Sequence, residues 1–206
     1  MPPSRLFWLL PALVLAGCVN FGLAQQDDPR AIVYYVLEDG GRPPAAAAAP
    51  LPRTLLLADT AAAAFYDTDG MAYSNEPGTR GYYQFARWSE RAGKRFTDLL
   101  LARLEHERIF NAVAQSGSNV RGDLLLTTEI LDLHHDAAKP PGNVRMVLRA
   151  ELIDLKTRTL LARKTFSETV AVPTFNAAGA HKAFSRATTL TLDGLADWLK
   201  EVVKQP

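Results

Sequence analysis

The feature that most limits the fold is the alternation between Asn143 and Leu155. Val144, Met146, Leu148, Ala150 and Leu152 fall on one side of an extended chain. Arg145, Arg149 and Glu151 fall on the other, interrupted by Val147. Successive side chains of a strand point to opposite faces, so this is a strand with one buried face and one wet one. Lys156-Thr157-Arg158 turns the chain into Thr159–Ala171, which makes 143–171 one long hairpin. A half-buried sheet needs a second layer, and two segments offer it. Phe96, Leu99, Leu100, Arg103-Leu104 and Glu107 recur at helical spacing, which predicts an amphipathic helix over 92–107. Asn176 to Lys204 carries Phe184, Ala187, Thr191, Leu195, Leu199 and Val202 near the same period. Lys200 and Lys204 suit the carboxyl end of that helix.

The other strands are shorter. Ala31–Leu37 is β-branched and aromatic and reads as the first strand. Residues 38–53 hold Gly40, Gly41, Pro43, Pro44, Pro50 and Pro52 around five alanines and read as a mobile loop. Thr54–Thr60 is an apolar run that suits a buried central strand. Gly70–Ser74 and Tyr82–Trp88 predict two strands joined by a turn at Asn75-Glu76-Pro77-Gly78. Ile109–Val113 and Leu124–His134 predict two more. The expectation is an α+β fold: a curved mixed β-sheet with two amphipathic helices packed on it.

The amino-terminal end has a different character. Arg5 precedes an apolar run from Leu6 to Ala16, followed by Gly17 and Cys18, the order of a secretory signal. Leu15-Ala16-Gly17-Cys18 resembles the lipobox of bacterial lipoproteins. That resemblance implies cleavage after Gly17, a diacylglyceryl group on the Cys18 Sγ and an acylated new amino terminus. Each buried methylene contributes roughly 0.8 kcal/mol, so three acyl chains make a durable anchor. The apolar run is shorter than a spanning helix needs and is interrupted by Pro11. Val19 is not the Asp that retains such proteins at the inner membrane, which favours the outer membrane facing the periplasm. The expected organisation is a lipoprotein signal peptide over 1–17, a polar lipidated tether over 18–30 and one α+β domain over 31–206.

Charge excludes one class of partner. Arg5 is the only charged residue in 1–17, so acidic and basic residues balance beyond it. Phosphate binding needs a net basic surface, which argues against nucleic acid. Cys18 is the only cysteine, so lipidation leaves no thiol for a disulfide.

Few residues suggest chemistry. Asp67-Thr68-Asp69-Gly70 begins like a calcium loop but lacks the later oxygen ligands. His134 and His135 are adjacent on a strand and point apart, unlike two ligands of one metal. His106 and His181 have no evident partner. No nucleophile elbow, phosphate loop, dinucleotide fingerprint or zinc spacing is present. The expectation is a protein that is not an enzyme and takes no cofactor or metal. Arg87, Arg91, Lys94 and Arg95 cluster at the entrance of the first helix, most simply as a solvated face. Interface cores favour Tyr, Phe and Arg. Alternation places Tyr83, Phe85 and Arg87 on one face and Tyr82, Gln84, Ala86 and Trp88 on the other. Tyr83, Phe85, Arg87 and Arg91 are therefore the candidate partner-binding residues, and Trp88 is a candidate for the core.

Several pieces in order carry a family resemblance. They are Tyr35-Val36-Leu37, Phe65-Tyr66-Asp67 followed by Met71-Ala72-Tyr73-Ser74, and Gly81-Tyr82-Tyr83-Gln84-Phe85-Ala86-Arg87-Trp88 leading into the Leu-rich helix. Asp154 and Thr157 at the hairpin turn, then Leu160 and Phe166-Ser167, complete them. With the lipobox they resemble the ABC-type transport auxiliary lipoprotein family over about 31–204. The Pro/Ala insertion at 43–50 and Arg91-Ala92-Gly93, in place of an expected proline, depart from the pattern. The resemblance implies a non-catalytic, lipid-anchored accessory of an ABC transporter that moves lipid or hydrophobic solute between membranes. Its implied partner is an MCE-domain periplasmic protein, around which such subunits can assemble into a homo-oligomeric ring. The alternative is an envelope scaffold lipoprotein that regulates a protein machine without handling lipid.

Overall fold

A computed structural model of the chain describes residues 31–43 and 49–204. The signal segment, Cys18 and the tether lie outside the described residues, as do residues 44–48.

The sheet is organised on β7 (Leu124–Asp136). One edge of β7 pairs antiparallel with β8 (Asn143–Asp154) along its length, and β8 pairs with β9 (Thr159–Ala171). The opposite edge of β7 is shared by three strands that run parallel to it. β2 (Leu51–Leu57) takes the first part, β3 (Ala61–Ala62) the middle and β4 (Gly70–Ser74) the end. Two branches leave from there. β6 (Phe110–Gln115) lies parallel to β2. β5 (Gly81–Trp88) lies antiparallel to β4, and β1 (Val33–Tyr35) parallel to β5. The sheet is therefore mixed, and bulges at Ile130/Asp132 and Leu152/Ile153 bend the long strands.

Two helices, α1 (Ala92–Glu107) and α2 (Ala177–Val202), cover one face. Val144, Met146, Leu148, Ala150 and Leu152 have no exposed surface. They meet Phe96, Leu100 and Leu104 of α1 and Phe184, Ala187, Leu195 and Leu199 of α2 in one core. The alternation along β8 is thus the inner face of the sheet. Asn176 caps α2 by accepting a hydrogen bond from the Gly179 amide at 2.8 Å. Gly93 lets α1 start against the β2–β3 link, because a Cβ there would lie 2.6 Å from the Thr60 carbonyl oxygen.

Two expectations need correction. The first strand is only Val33–Tyr35, since beyond it the chain leaves β5 and turns to the helices. Residues 38–53 are not one mobile loop. Leu51–Arg53 belong to β2, and 38–42 are tied down. The Glu38 and Gly40 amides donate to Ser185 Oγ and Thr189 Oγ1 on α2, at 3.3 and 2.8 Å.

Charge completes that tie. Arg103 lies on the apolar face of α1, only 3% exposed. Its Nε donates to Asp39 Oδ2 at 3.0 Å, and its guanidinium also binds Asp193 of α2. Glu107, whose side chain is fully covered, accepts from Arg42 Nε at 2.5 Å and from Lys200 Nζ at 2.6 Å. Arg42 also grips both Asp197 carboxylate oxygens, at 2.8 and 3.0 Å. Burial alone would raise the Glu107 carboxyl, but its hydrogen bonds from Arg42 and Lys200 outweigh that and hold it below the usual range. These ion pairs join the segment after β1 to both helices.

Candidate partner-docking surface

β5 carries the aromatic stretch singled out by sequence. Its two ends behave differently. Ala86 and Trp88 point into the core, where the Trp88 ring meets Phe184 edge-on at 5.2 Å. The even face does not stay buried, because Tyr82 is 39% exposed. The cause is a bulge opposite β4. Gly70 pairs with Arg87 and Ala72 with Tyr82, so β5 spends three more residues than its partner between those pairs. Tyr82 instead stacks on Phe65, with ring centroids 4.5 Å apart, and donates its hydroxyl to the Phe65 carbonyl at 2.7 Å.

The four candidate residues do not form one free patch. Tyr83 is half-buried beside Tyr73, with ring centroids 5.2 Å apart. Its hydroxyl lies 2.6 Å from His135 Nδ1, and His135 Nε2 lies 2.8 Å from the Pro141 carbonyl oxygen. A carbonyl only accepts, so Nε2 carries the proton and Nδ1 accepts from Tyr83. Burial pushes the Tyr83 phenol up to about 12, with the neighbouring Tyr73 adding to the effect. Burial also lowers His135, against the opposing hydrogen bond to Pro141, so the neutral imidazole fits this bridge. Phe85 is exposed. Arg87 folds back along its own strand, donating to the Tyr83 carbonyl at 2.5 Å and the Ala86 carbonyl at 3.0 Å. Arg91 is exposed, and its Nη1 lies 3.4 Å from Asp67 Oδ2. Such an exposed pair contributes little and leaves the guanidinium available.

The rest of the basic cluster disperses. Lys94 pairs with Asp98 at 2.6 Å along α1, and Arg95 Nε donates to the Leu37 carbonyl at 2.9 Å. His134 turns to Asp132, 2.7 Å away, while His135 turns to Tyr83, so the two imidazoles do diverge. Asp132 also accepts from Tyr66 at 2.7 Å. Burial opposes ionisation of Asp132, but the hydrogen bonds from His134 and Tyr66 prevail and hold its carboxyl low. His106 is exposed. His181 has the partner that sequence did not provide, the Val36 carbonyl at 2.7 Å from Nε2. Among the described residues no group of three His, Cys, Asp or Glu is placed to hold a metal, and no helix is long and apolar enough to cross a membrane.

Sequence reasoning missed two sets of residues. Tyr34 is in register with Arg87, so both side chains lie on one face, and Tyr34 is 62% exposed. Ile32 and Val36 flank it on the same alternation and are also exposed. A short apolar run looks like core until its neighbours are known. The ionic set Asp39, Arg42, Arg103, Glu107, Asp193, Asp197 and Lys200 is the second. Its only signal was a charged pair, Arg103 and Glu107, on the apolar stripe of α1.

The fold defines an α+β domain, a mixed sheet with two helices on one face. The family model for the ABC-type transport auxiliary lipoprotein component matches residues 35–196, and the chain belongs to that family. A crystal structure of a Xanthomonas campestris protein of family DUF330 superposes with a TM-score of 0.77 at 22% identity, covering 84% of this chain and 97% of that one. An uncharacterized protein of known crystal structure superposes with a TM-score of 0.64 at 13% identity, covering 82% and 99%. At these identities the likeness speaks for the fold. No protein of curated function matches the chain.

Proposed function

We propose that the protein is an outer-membrane-anchored periplasmic accessory lipoprotein of an MCE-type ABC transporter. In this reading Cys18 carries the lipid, 18–30 is the tether, and the domain beyond it docks a periplasmic MCE-domain protein. The subunit does no chemistry; it assists the passage of lipid or hydrophobic solute between membranes. The observation that carries the reading is the family match over 35–196 on a chain whose Leu15–Cys18 resembles a lipobox. Phe85 and Arg91 are the docking residues, with Arg87 on the Phe85 face of β5, because an exposed ring and an available guanidinium are the chemistry that interface cores favour. Tyr83 positions that strand through His135. The subunits assemble into a ring around the partner.

The test is capture from membranes with the lipidated protein, followed by identification of the partner and its lipid. The expected partner is an MCE-domain protein, with capture weakened at least about tenfold by Phe85→Ala and Arg91→Ala together. Fatty-acid labelling is expected in the native protein and absent from Cys18→Ala. Capture of an envelope machine with neither an MCE subunit nor lipid would favour the scaffold alternative.

A further inference from the structure

Ten large apolar side chains are exposed on the described domain, and four of them are consecutive or nearly so: Ile32, Val33, Tyr34 and Val36. They belong to β1 and its flanks, at one end of the sheet, where only β5 pairs with β1 among the described residues. Ile32, Tyr34 and Val36 share a face with Arg87 through the Tyr34–Arg87 register. Scattered surface hydrophobes need no explanation, but a contiguous apolar strip on an edge marks a contact.

Where the chain comes from argues for what makes that contact. The strip begins fourteen residues after Cys18. Fully extended, that length spans at most about 50 Å, so acyl chains on Cys18 would keep the strip close to the bilayer at a high effective concentration. Pairing with another sheet is a poorer use of β1, because only three of its residues are in strand geometry. The composition suits an interface with lipid: aliphatic side chains and a tyrosine ring of the kind that settles at headgroup level.

Resting on the proposed lipidation of Cys18, we infer that the exposed face of β1 lies on the lipid surface to which the protein is anchored. The edge strand then meets the bilayer. The membrane contact holds the domain in one orientation.

Cys18 is the only cysteine, which makes the test clean. Tyr34→Cys, Val36→Cys and, at the hairpin end, Leu160→Cys each add one thiol at an exposed position of the full lipidated chain. Each protein is placed in vesicles of phosphatidylethanolamine and phosphatidylglycerol, its thiols are counted after unfolding, and a nitroxide is attached. Collision of the label with oxygen and with a water-soluble nickel chelate reports its surroundings. The expected result is one free thiol in each variant and an oxygen-to-nickel ratio several-fold higher at 34 and 36 than at 160. One free thiol with equal aqueous ratios at all three positions would overturn the inference and leave the anchor standing. Shielding of 34 and 36 from both reagents would overturn it in favour of a protein partner or a second copy. Two free thiols would overturn the anchor itself, and the inference with it.

Discussion

Arg103→Met is the substitution whose effect the structure specifies most fully. Arg103 is 3% exposed and binds Asp39 through two nitrogens and Asp193 through a third. Methionine keeps the aliphatic stem and removes every hydrogen bond. Asp39 is then left with only the Gly41 amide, 2.9 Å from Oδ1. Breaking a buried pair from one side costs roughly 3–5 kcal/mol, because the remaining charge stays buried without its partner. The Asp39 side chain is 12% exposed and that of Asp193 27%, so both can recover some water. The expected loss is therefore at the low end, about 3 kcal/mol. The assay is equilibrium urea unfolding at neutral pH, followed by circular dichroism, of a chain beginning at Asp28. Adding Asp39→Leu and Asp193→Leu to Arg103→Met is expected to recover at least half the loss, since apolar groups of similar size replace a buried ion set with little penalty. A cost for Arg103→Met below about 1 kcal/mol, the range of surface ion pairs, would refute this account of the helix–segment junction.

Acid tests the other half of the same junction. The Glu107 carboxyl is held low in the fold, so its stabilising contribution is complete above its ordinary value of 4.5 and is lost as pH falls through the lower folded value. Glu107→Gln should flatten that part of a stability–pH profile. His135 is likewise lowered by burial, so stability should begin to fall as pH drops below 6.5, and His135→Gln should remove that slope. Trp88→Ala should cost roughly 3–5 kcal/mol in urea unfolding, because it opens a cavity against Phe184. Gly142→Ala should lower stability by more than about 1 kcal/mol: φ is +82° there, and the new Cβ would collide with the Asp136 carbonyl and lie 2.7 Å from His135 Nε2.

Much of the architecture was legible in the chain because periodicity is a local signal. The alternation at Val144–Leu152 named the buried face of β8, and the helical spacing of Phe96, Leu100 and Leu104 placed α1 over Ala92–Glu107. The turn at Lys156-Thr157-Arg158 separated β8 from β9. Trp88 was assigned to the core, where it lies.

Tertiary structure decided what local pattern cannot contain. Tyr83 alternates with Tyr82 whatever surrounds it, but the β4–β5 bulge and the arrival of His135 from β7 determine which ring is half-buried and which is exposed and stacked on Phe65. Arg103 and Glu107 look like misplaced charges on an apolar helix face until Asp39, Arg42 and Lys200 arrive from distant parts of the chain. Residues 38–42 read as a loop because their hydrogen-bond acceptors lie on α2, far away in sequence. The apolar run of β1 proved to be a surface for the same reason. Its own residues determine that it extends, but only the strand order places it at the end of the sheet with a face left open.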